Sequence, residues 1–400
     1  MSGTRRKAGP LTAFVPGYRD KLLAMGYAAE TVRGLLKVLG QLGRWMTANE
    51  VVVAQLDWQT ITRFLAHRGT DSFRQTPHRP GLRLLLEFLV EEHVVEAEAP
   101  EPLSGLDALL HDYRGWLIGD RGLAEATVVR YHRCARRFLE LRTGRDGAVD
   151  VESLTGLEVT AFLLSEAQRC SVGATKGRVA ELRALLRYLY LRGSTTTSLS
   201  GSIPPVAGWH DTAIPPSLSR SDVDALVGSC DRSTPSGLRD FAMLTLLARL
   251  GLRSIEVARL ELDDIDWRAG EIRIRGKARR TDRMPLPVEV GDAVSAYLID
   301  GRPRTRDRHV FLTLRAPIRG VRADLLGDVV GRACVRAGLP AVGAHRLRHA
   351  LATALLSGGV PLVDISAVLR HQDLATTALY AKVDFASLQR VAQPWPGAVK

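Results

Sequence analysis

The sequence predicts a mainly α-helical protein with one small antiparallel β-sheet, built as two helical modules followed by an α-rich mixed domain. Three observations carry that reading. Apolar residues recur at spacings of three and four through most of the chain, which is the helical period. The N-terminal half contains a weak duplication. Near residue 271 the period shortens briefly to two, the pattern of a half-buried strand. At 400 residues, with 46% apolar and 24% charged, the composition is that of a globular chain of two or three domains and excludes a disordered or collagen-like one.

The duplication is read residue by residue. Tyr18-Arg-Asp-Lys-Leu22 followed by Thr31-Val32 parallels Tyr113-Arg-Gly-Trp-Leu117 followed by Thr127-Val128. Ile61, Phe64 and Leu65 parallel Val159, Phe162 and Leu163. The runs Leu82 to Leu89 and Leu182 to Leu189 close the two copies, the offset drifting from 95 to 100. Each copy is expected to be a bundle of about four helices, over residues 1–105 and 106–193. From Ser194 to Ser217 there is no Lys or Arg and there are two Pro-Pro pairs, a composition suited to an extended linker. Residues 218–400 form the third part.

In that part Ser219 or Ser221 is expected to cap a helix, and Asp240 to Arg249 is strongly apolar and helical. Gly251-Leu252-Arg253 breaks the pattern before a short helix ending near Leu260. Glu271 to Arg275 alternates charged and apolar residues like a strand, Gly276-Lys277-Ala278 suits a turn, and Arg283 to Pro287 suits a returning edge strand. From Val288 onward the pattern is mainly helical.

Charge narrows the function. There are 55 basic and 43 acidic residues, a net +12, with a pI near 9.9, which favours a polyanionic partner. Residues 1–193 hold 27 basic against 22 acidic groups, and residues 218–400 hold 28 against 20, so both halves are basic. The four cysteines are far apart with no CxxC pair, which speaks against a disulfide framework or thiolate zinc site. No apolar run reaches the length of a membrane span, and the basic N-terminus leads into no secretory core. The expected setting is the cytoplasm.

Arginines gather on two helices of the second copy. Arg130, Arg133, Arg136, Arg137 and Arg142 interleave with Val128, Val129, Phe138 and Leu139. Lys176, Arg178, Arg183, Arg187 and Arg192 do the same on the last helix. One apolar stripe beside one cationic face lets a helix dock a core and present charge to phosphates. A solvated face would account for any single one of them; two such helices point to nucleic acid, with Arg130, Arg133, Arg137, Lys176, Arg178, Arg183 and Arg187 as candidate DNA contacts. Of the 55 basic residues only 7 are lysines. Lys277 is the sole lysine between Lys176 and Lys382, in a stretch that otherwise uses arginine.

Four segments, ARLGLRSIEVARL, IRIRGKARRTDRMPLP, HRLRHALATALL and LRHQDLATTALYAKV, resemble the boxes of the tyrosine recombinases, or phage integrase family, in order and spacing over roughly residues 107–395. The resemblance matches Arg253 to the first catalytic arginine and Lys277 to the lysine of the strand turn. His345 and Arg348 match the H-x-x-R pair, His371 the second histidine position and Tyr380 the nucleophile. It implies a site-specific recombinase that cuts and rejoins double-stranded DNA through a 3′-phosphotyrosyl intermediate, for integration, excision or transposition of a mobile element. It also implies a homo-oligomer (a dimer on one site, a tetramer in the synaptic complex) or assembly with related recombinases, accessory DNA-bending proteins, and a location at the nucleoid. No cofactor and no metal are implied. Residues 107–193 would be the core-binding domain and residues 1–105 an added helical module.

The chemistry fits those residue types. A phenol titrates near pH 10, so Tyr380 needs a base and a neutralised phosphate. Arg253 and Arg348 each offer paired N–H donors to non-bridging oxygens. Lys277 can surrender a proton to the leaving 5′-oxygen, which guanidinium effectively cannot. His345 and His371 titrate near neutrality. His345 and His349 stand four apart as a metal pair could, yet the glutamate of HExxH is missing and no third ligand is evident. Glu256 is expected to support Arg253. Arg370 departs from the family, which often has glycine there; a bulky cation could shift the helix start or add another phosphate contact. Phe385, Leu388 and Val391 could dock a neighbouring protomer. The rival readings are a type IB topoisomerase-like relaxation enzyme and a catalytically inactive DNA-binding relative.

Overall fold

The computed structural model describes residues 9–70, 79–96, 104–144, 147–204, 206, 218–276 and 281–370. Packing divides the chain into two compact units. Residues of 98–213 make one, and residues of 1–97 with those of 214–400 make the other.

The first stretch contains helices α1 (Val15–Ala24), α2 (Ala29–Ala48), α3 (Trp58–Thr70) and α4 (Arg79–Glu91). Their apolar stripes bury Leu22, Leu39, Leu42, Met46 and Leu85 completely or nearly so. Helices α2 and α4 cross closely because Gly81 lacks a Cβ, which would stand 2.2 Å from a Leu35 methyl. Tyr18, buried beneath, donates its hydroxyl to the Gly81 carbonyl at 2.7 Å.

The smaller unit repeats the plan with α5 (Gly105–Gly119), α6 (Glu125–Glu140), α7 (Gly156–Arg169) and α8 (Val172–Leu191). Positions paired in the sequence duplication fall in the two cores alike. Tyr18 and Tyr113, Ile61 and Val159, Phe64 and Phe162, and Leu89 and Leu189 are all buried. Helix starts are fixed by side chains that satisfy the first free N–H groups. Thr155 and Glu158 form a reciprocal capping box on α7, and the Ser171 hydroxyl accepts from the Ala174 N–H on α8.

The segment expected to be an extended linker differs at its beginning. Residues 199–202 form a 3-10 turn, and Ile203 is 2% exposed within the core of the smaller unit. The Ile203 carbonyl accepts from Arg183, and the Ser202 carbonyl accepts from Thr160. Ile203, worth about 2 kcal/mol when buried, and the partly buried Leu199 and Val206 together lay this part of the run on the bundle.

After residue 217 come α9 (Arg220–Gly228), capped by Ser219, then α10 (Pro235–Arg249) and α11 (Ser254–Ala258). A three-stranded antiparallel sheet follows: β1 (Ile265–Asp266), β2 (Glu271–Arg275) and β3 (Thr281–Pro285), in that spatial order. Ile272 and Ile274 face the core, while Arg273 and Arg275 point outward. The two-residue β1 carries no alternation that a sequence could reveal. Strand β3 lies two residues earlier than expected, because Glu271 pairs with Pro285 and Arg275 with Thr281.

Helix α12 (Val288–Ala296) runs into one π turn at Tyr297–Gly301. Residues 302–322 are not helical, contrary to the mainly helical pattern expected there. The Arg302 guanidinium gathers the carbonyls of Asp307, His309 and Val310 instead. Helices α13 (Ala323–Arg336), α14 (His345–Ser357) and α15 (Leu362–Leu369) complete the described chain. Helix α10 lies centrally in this part, with Ala242, Met243, Leu244, Leu246 and Leu247 wholly buried. All four cysteines are free thiols. Among the described residues no helix is long and apolar enough to cross a membrane.

Candidate active site

The site begins at the turn between α10 and α11. Gly251 has φ +57°, in the left-handed region that favours glycine. A Cβ there would lie 2.8 Å from Leu369 and 3.0 Å from Leu351. The turn drops Leu252 into the core (1% exposed) and sets Arg253 at the start of α11. The Arg253 backbone N–H donates to Glu256 Oε2 at 2.9 Å, and its Nη1 donates to Oε1 at 2.8 Å. Glu256 is buried while 41% of the Arg253 side chain remains exposed. A hidden carboxylate therefore aims a guanidinium whose outer edge faces solvent, as expected of Glu256.

Arg348, on the first turn of α14, is 1% exposed and heads the largest fully buried side chains. Its Nη1 donates to the Gly251 carbonyl at 2.5 Å and its Nη2 to the Leu369 carbonyl. One guanidinium thus ties the 251 turn, α14 and the end of α15 together. The expectation for Arg348 was phosphate binding alone, and the fold gives it this second task.

His345 opens α14 three residues before Arg348, within range of the charge of Arg253. Desolvation, then the charges of Arg348, Arg253 and Arg346, push its pKa below the usual histidine range. His349 meets it edge-on, with ring centroids 4.4 Å apart at 83°. Desolvation, then His345, Arg346 and Arg348, lower the His349 pKa to about 4. Both shifts favour the neutral imidazole over the imidazolium. Among the described residues no three His, Cys, Asp or Glu side chains gather as a metal set.

The structure thus brings Arg253, His345 and Arg348 to one place. Lys277, His371 and Tyr380 lie outside the described residues, as do Phe385, Leu388 and Val391. The strands on either side of residues 276–280 are described, with Arg275 opposite Thr281.

Arg370 is where the sequence misled. The helix start it was expected to shift lies outside the described residues, and its side chain does not turn outward. Its backbone is left-handed at φ 54° and ψ 46°, which explains why glycine suits the position. Its side chain, 7% exposed, turns inward, and Nη2 donates to Glu256 Oε2 at 2.9 Å. Glu256 was visible in the sequence through its three-residue step from Arg253. No local pattern announces a partner 114 positions away.

The candidate DNA-contacting residues all lie on α6 and α8 of the smaller unit, where they divide into two groups. Arg137 donates to both oxygens of Glu166, at 2.5 and 3.1 Å. Arg178 joins Glu166 at 3.3 Å and Glu181 at 2.6 Å. Arg130 meets Glu181 at 2.8 Å. Both carboxylates are only 2% exposed, so Arg137 and Arg178 are committed inward to buried acids. These two acids, unremarkable in a helical pattern, escape sequence reasoning. Arg133, Lys176 and Arg187 are exposed, with no side-chain bond or ion pair among the described residues. Arg183 is exposed as well and donates to the Ile203 carbonyl. Lys176, Arg183 and Arg187, at steps of seven and four, line one side of α8.

Residues 216–387 match the model of the phage integrase family. The chain is 37% identical to the integrase/recombinase named y4rA of Sinorhizobium fredii, over 98% of this chain and 97% of that one. It is 30% identical to tyrosine recombinase XerD of Listeria monocytogenes over 70% of this chain and 95% of the relative. Its fold is similar to that of the XerH site-specific recombinase bound to a palindromic difH substrate (TM-score 0.55, 19% identity, 82% of this chain and 93% of that one). It is similar also to a lambda integrase tetramer bound to a Holliday junction (TM-score 0.52, 15% identity, 79% of this chain and 88% of that one). A relative so similar over both whole lengths, with the helical fold and its small antiparallel sheet, is decisive: the chain belongs to the phage integrase family of tyrosine recombinases.

Proposed function

We propose that this protein is a site-specific recombinase that cuts and rejoins double-stranded DNA through a 3′-phosphotyrosyl intermediate on Tyr380. The observation that carries the proposal is the convergence of Arg253, His345 and Arg348 at the 251 turn. Two guanidiniums and a neutral imidazole are what a phosphodiester under nucleophilic attack requires.

The Tyr380 oxygen attacks the scissile phosphorus while its proton passes to an imidazole, that of His345 or His371. Charge building on the non-bridging oxygens is met by Arg253 and Arg348. The bond to the 5′-oxygen breaks, and Lys277 supplies the proton that makes the 5′-hydroxyl. Rejoining reverses each step: an incoming 5′-hydroxyl loses its proton, attacks the phosphotyrosine and releases Tyr380. The covalent ester stores the bond energy, so no external energy source is needed.

Residues 106–193 are the core-binding domain in this reading, 218–400 the catalytic domain and 1–105 an added helical module. Phosphate contacts fall to Arg133, Lys176, Arg183 and Arg187, with Arg130 at the edge, while Arg137 and Arg178 hold the domain together. Exchange between two duplexes cuts four strands with one tyrosine each, which supports a dimer on one site and a tetramer at synapsis. The extra module and an integrase/recombinase relative spanning the whole chain support integration, excision or transposition of a mobile element in the cytoplasm. Accessory DNA-bending proteins belong to the same proposal.

The test is a nicked suicide substrate that lets the 5′-fragment diffuse away. The wild-type chain should accumulate a covalent protein–DNA adduct, and Tyr380→Phe should give none. Absence of any adduct from the wild type across substrates cut from its own element's ends would refute the enzyme.

A further inference from the structure

Position 370 holds a residue that its backbone does not favour. The left-handed conformation at φ 54° suits glycine, and an arginine placed there adopts it only if the surroundings hold it. They do. The Arg370 guanidinium lies against Met284 of β3, donates from Nη1 to the Val368 carbonyl at 3.2 Å and from Nη2 to Glu256 at 2.9 Å. Its Nε is buried with no partner among the described residues, so the cation is bound there at some cost. Asp282 on β3 adds a further attraction.

Glu256 is the meeting point. Oε1 accepts from Arg253 Nη1, and Oε2 accepts from both the Arg253 N–H and Arg370 Nη2. Burial raises the carboxyl pKa, but the Arg253 N–H and then the Arg370 charge outweigh it, and the group stays ionised. With Arg253 alone, one carboxylate would neutralise one guanidinium, and the outer edge of Arg253 would offer phosphate little net charge. With Arg370 on the inner side, Glu256 is shared by two cations, so these three groups together carry a net +1, with Asp282 of β3 as a nearby counter-charge to Arg370.

We infer that Arg370 is a positioning residue for the cleavage step: it grips Glu256 from behind, so that the carboxylate holds Arg253 in place without cancelling its charge. The inference rests on the proposed role of Arg253 as a phosphate clamp. The guanidinium of Arg370 is itself buried and turned toward Glu256. Its inward course and its contact with β3 also tie the catalytic arginine turn to the strand pair that flanks residue 277.

The experiment is single-turnover covalent trapping on the nicked substrate with the full chain, reading rate constant, final amplitude and half-saturating DNA concentration separately. Arg370→Gly suits the backbone and should fold; Arg370→Met keeps the bulk and removes the charge. Both should slow adduct formation about tenfold, less than the hundredfold or more expected from losing a direct phosphate donor. Half-saturation should change less than about twofold, with amplitude kept. Arg370→Lys should recover much of the rate. In a Glu256→Gln background, Arg370→Gly should add little further loss, because the two act as one unit.

A wild-type rate in Arg370→Gly would overturn the inference and leave the recombinase reading standing. So would a loss confined to amplitude, or losses from Glu256→Gln and Arg370→Gly that simply multiply. An Arg253→Ala chain that forms adduct at the wild-type rate would remove the clamp itself, and the inference with it.

Discussion

The division of the α6 and α8 cations can be tested by comparing Arg187→Ala with Arg178→Ala in the full chain. Arg187 is exposed and unengaged among the described residues; if it meets a phosphate, its loss removes one released counterion from binding. The slope of log affinity against log salt should then become shallower by about 0.9. Over a fourfold rise in salt the affinity gap between wild type and variant should narrow about 3.5-fold, with no effect on folding. Arg178 is the reverse case. Its side chain is 18% exposed and bridges two carboxylates that are 2% exposed. Orphaning a buried charge completely costs about 3–5 kcal/mol. Here Glu166 retains Arg137 and Glu181 retains Arg130, so a loss of about 2 kcal/mol is expected. Amide exchange in α7 and α8 should accelerate about 30-fold, with an unchanged salt slope. Salt titrations of DNA binding and hydrogen-exchange mass spectrometry read the two quantities independently. Equal changes of slope in both variants, with exchange unaffected in Arg178→Ala, would refute the division.

Lys277→Arg keeps the charge but should slow cleavage at least about 100-fold; a substrate with a 5′-bridging sulfur, whose leaving group needs no proton, should restore the rate. His349, held at a pKa of about 4 against about 6.5 unfolded, binds its proton more readily in the unfolded chain. Stability should therefore be flat above pH 6.5 and fall between 6.5 and 4, by about 2 kcal/mol at pH 5, and His349→Asn should flatten that slope in urea unfolding. Gly251→Ala forces φ +57° on a residue with a Cβ and presses it on Leu369 and Leu351; a loss of about 2–3 kcal/mol is expected by thermal unfolding. Removing residues 1–105 should shorten the DNA footprint, and a footprint of unchanged length would assign that module to protein contacts.

Much of this was legible in the sequence because it is local. The 3.6-residue period located the helices, the duplication located matched cores, and the alternation of Glu271 to Arg275 located the central strand. Arg253, His345 and Arg348 were legible through the resemblance of the short boxes that hold them to those of a known family. What escaped depends on contacts between distant segments. Arg178 and Lys176 are both cations on α8, and only the fold distinguishes the one that turns toward Glu166 and Glu181. Ile203 was hidden in a linker-like run because its partners lie on α7 and α8. Arg370 read as a departure whose direction no neighbouring residue could reveal.

Arg348 and Arg253 differ in what each tells about a lineage. Arg348 is the buried pin of three chain segments, so a descendant that had stopped cutting DNA would still be held to arginine there by the need to fold. Arg253, half in solvent and joined to one carboxylate, carries no such obligation. An intact residue 348 is therefore weak testimony to activity, whereas a changed residue 253 is the earlier sign that a copy of this protein has become a passenger.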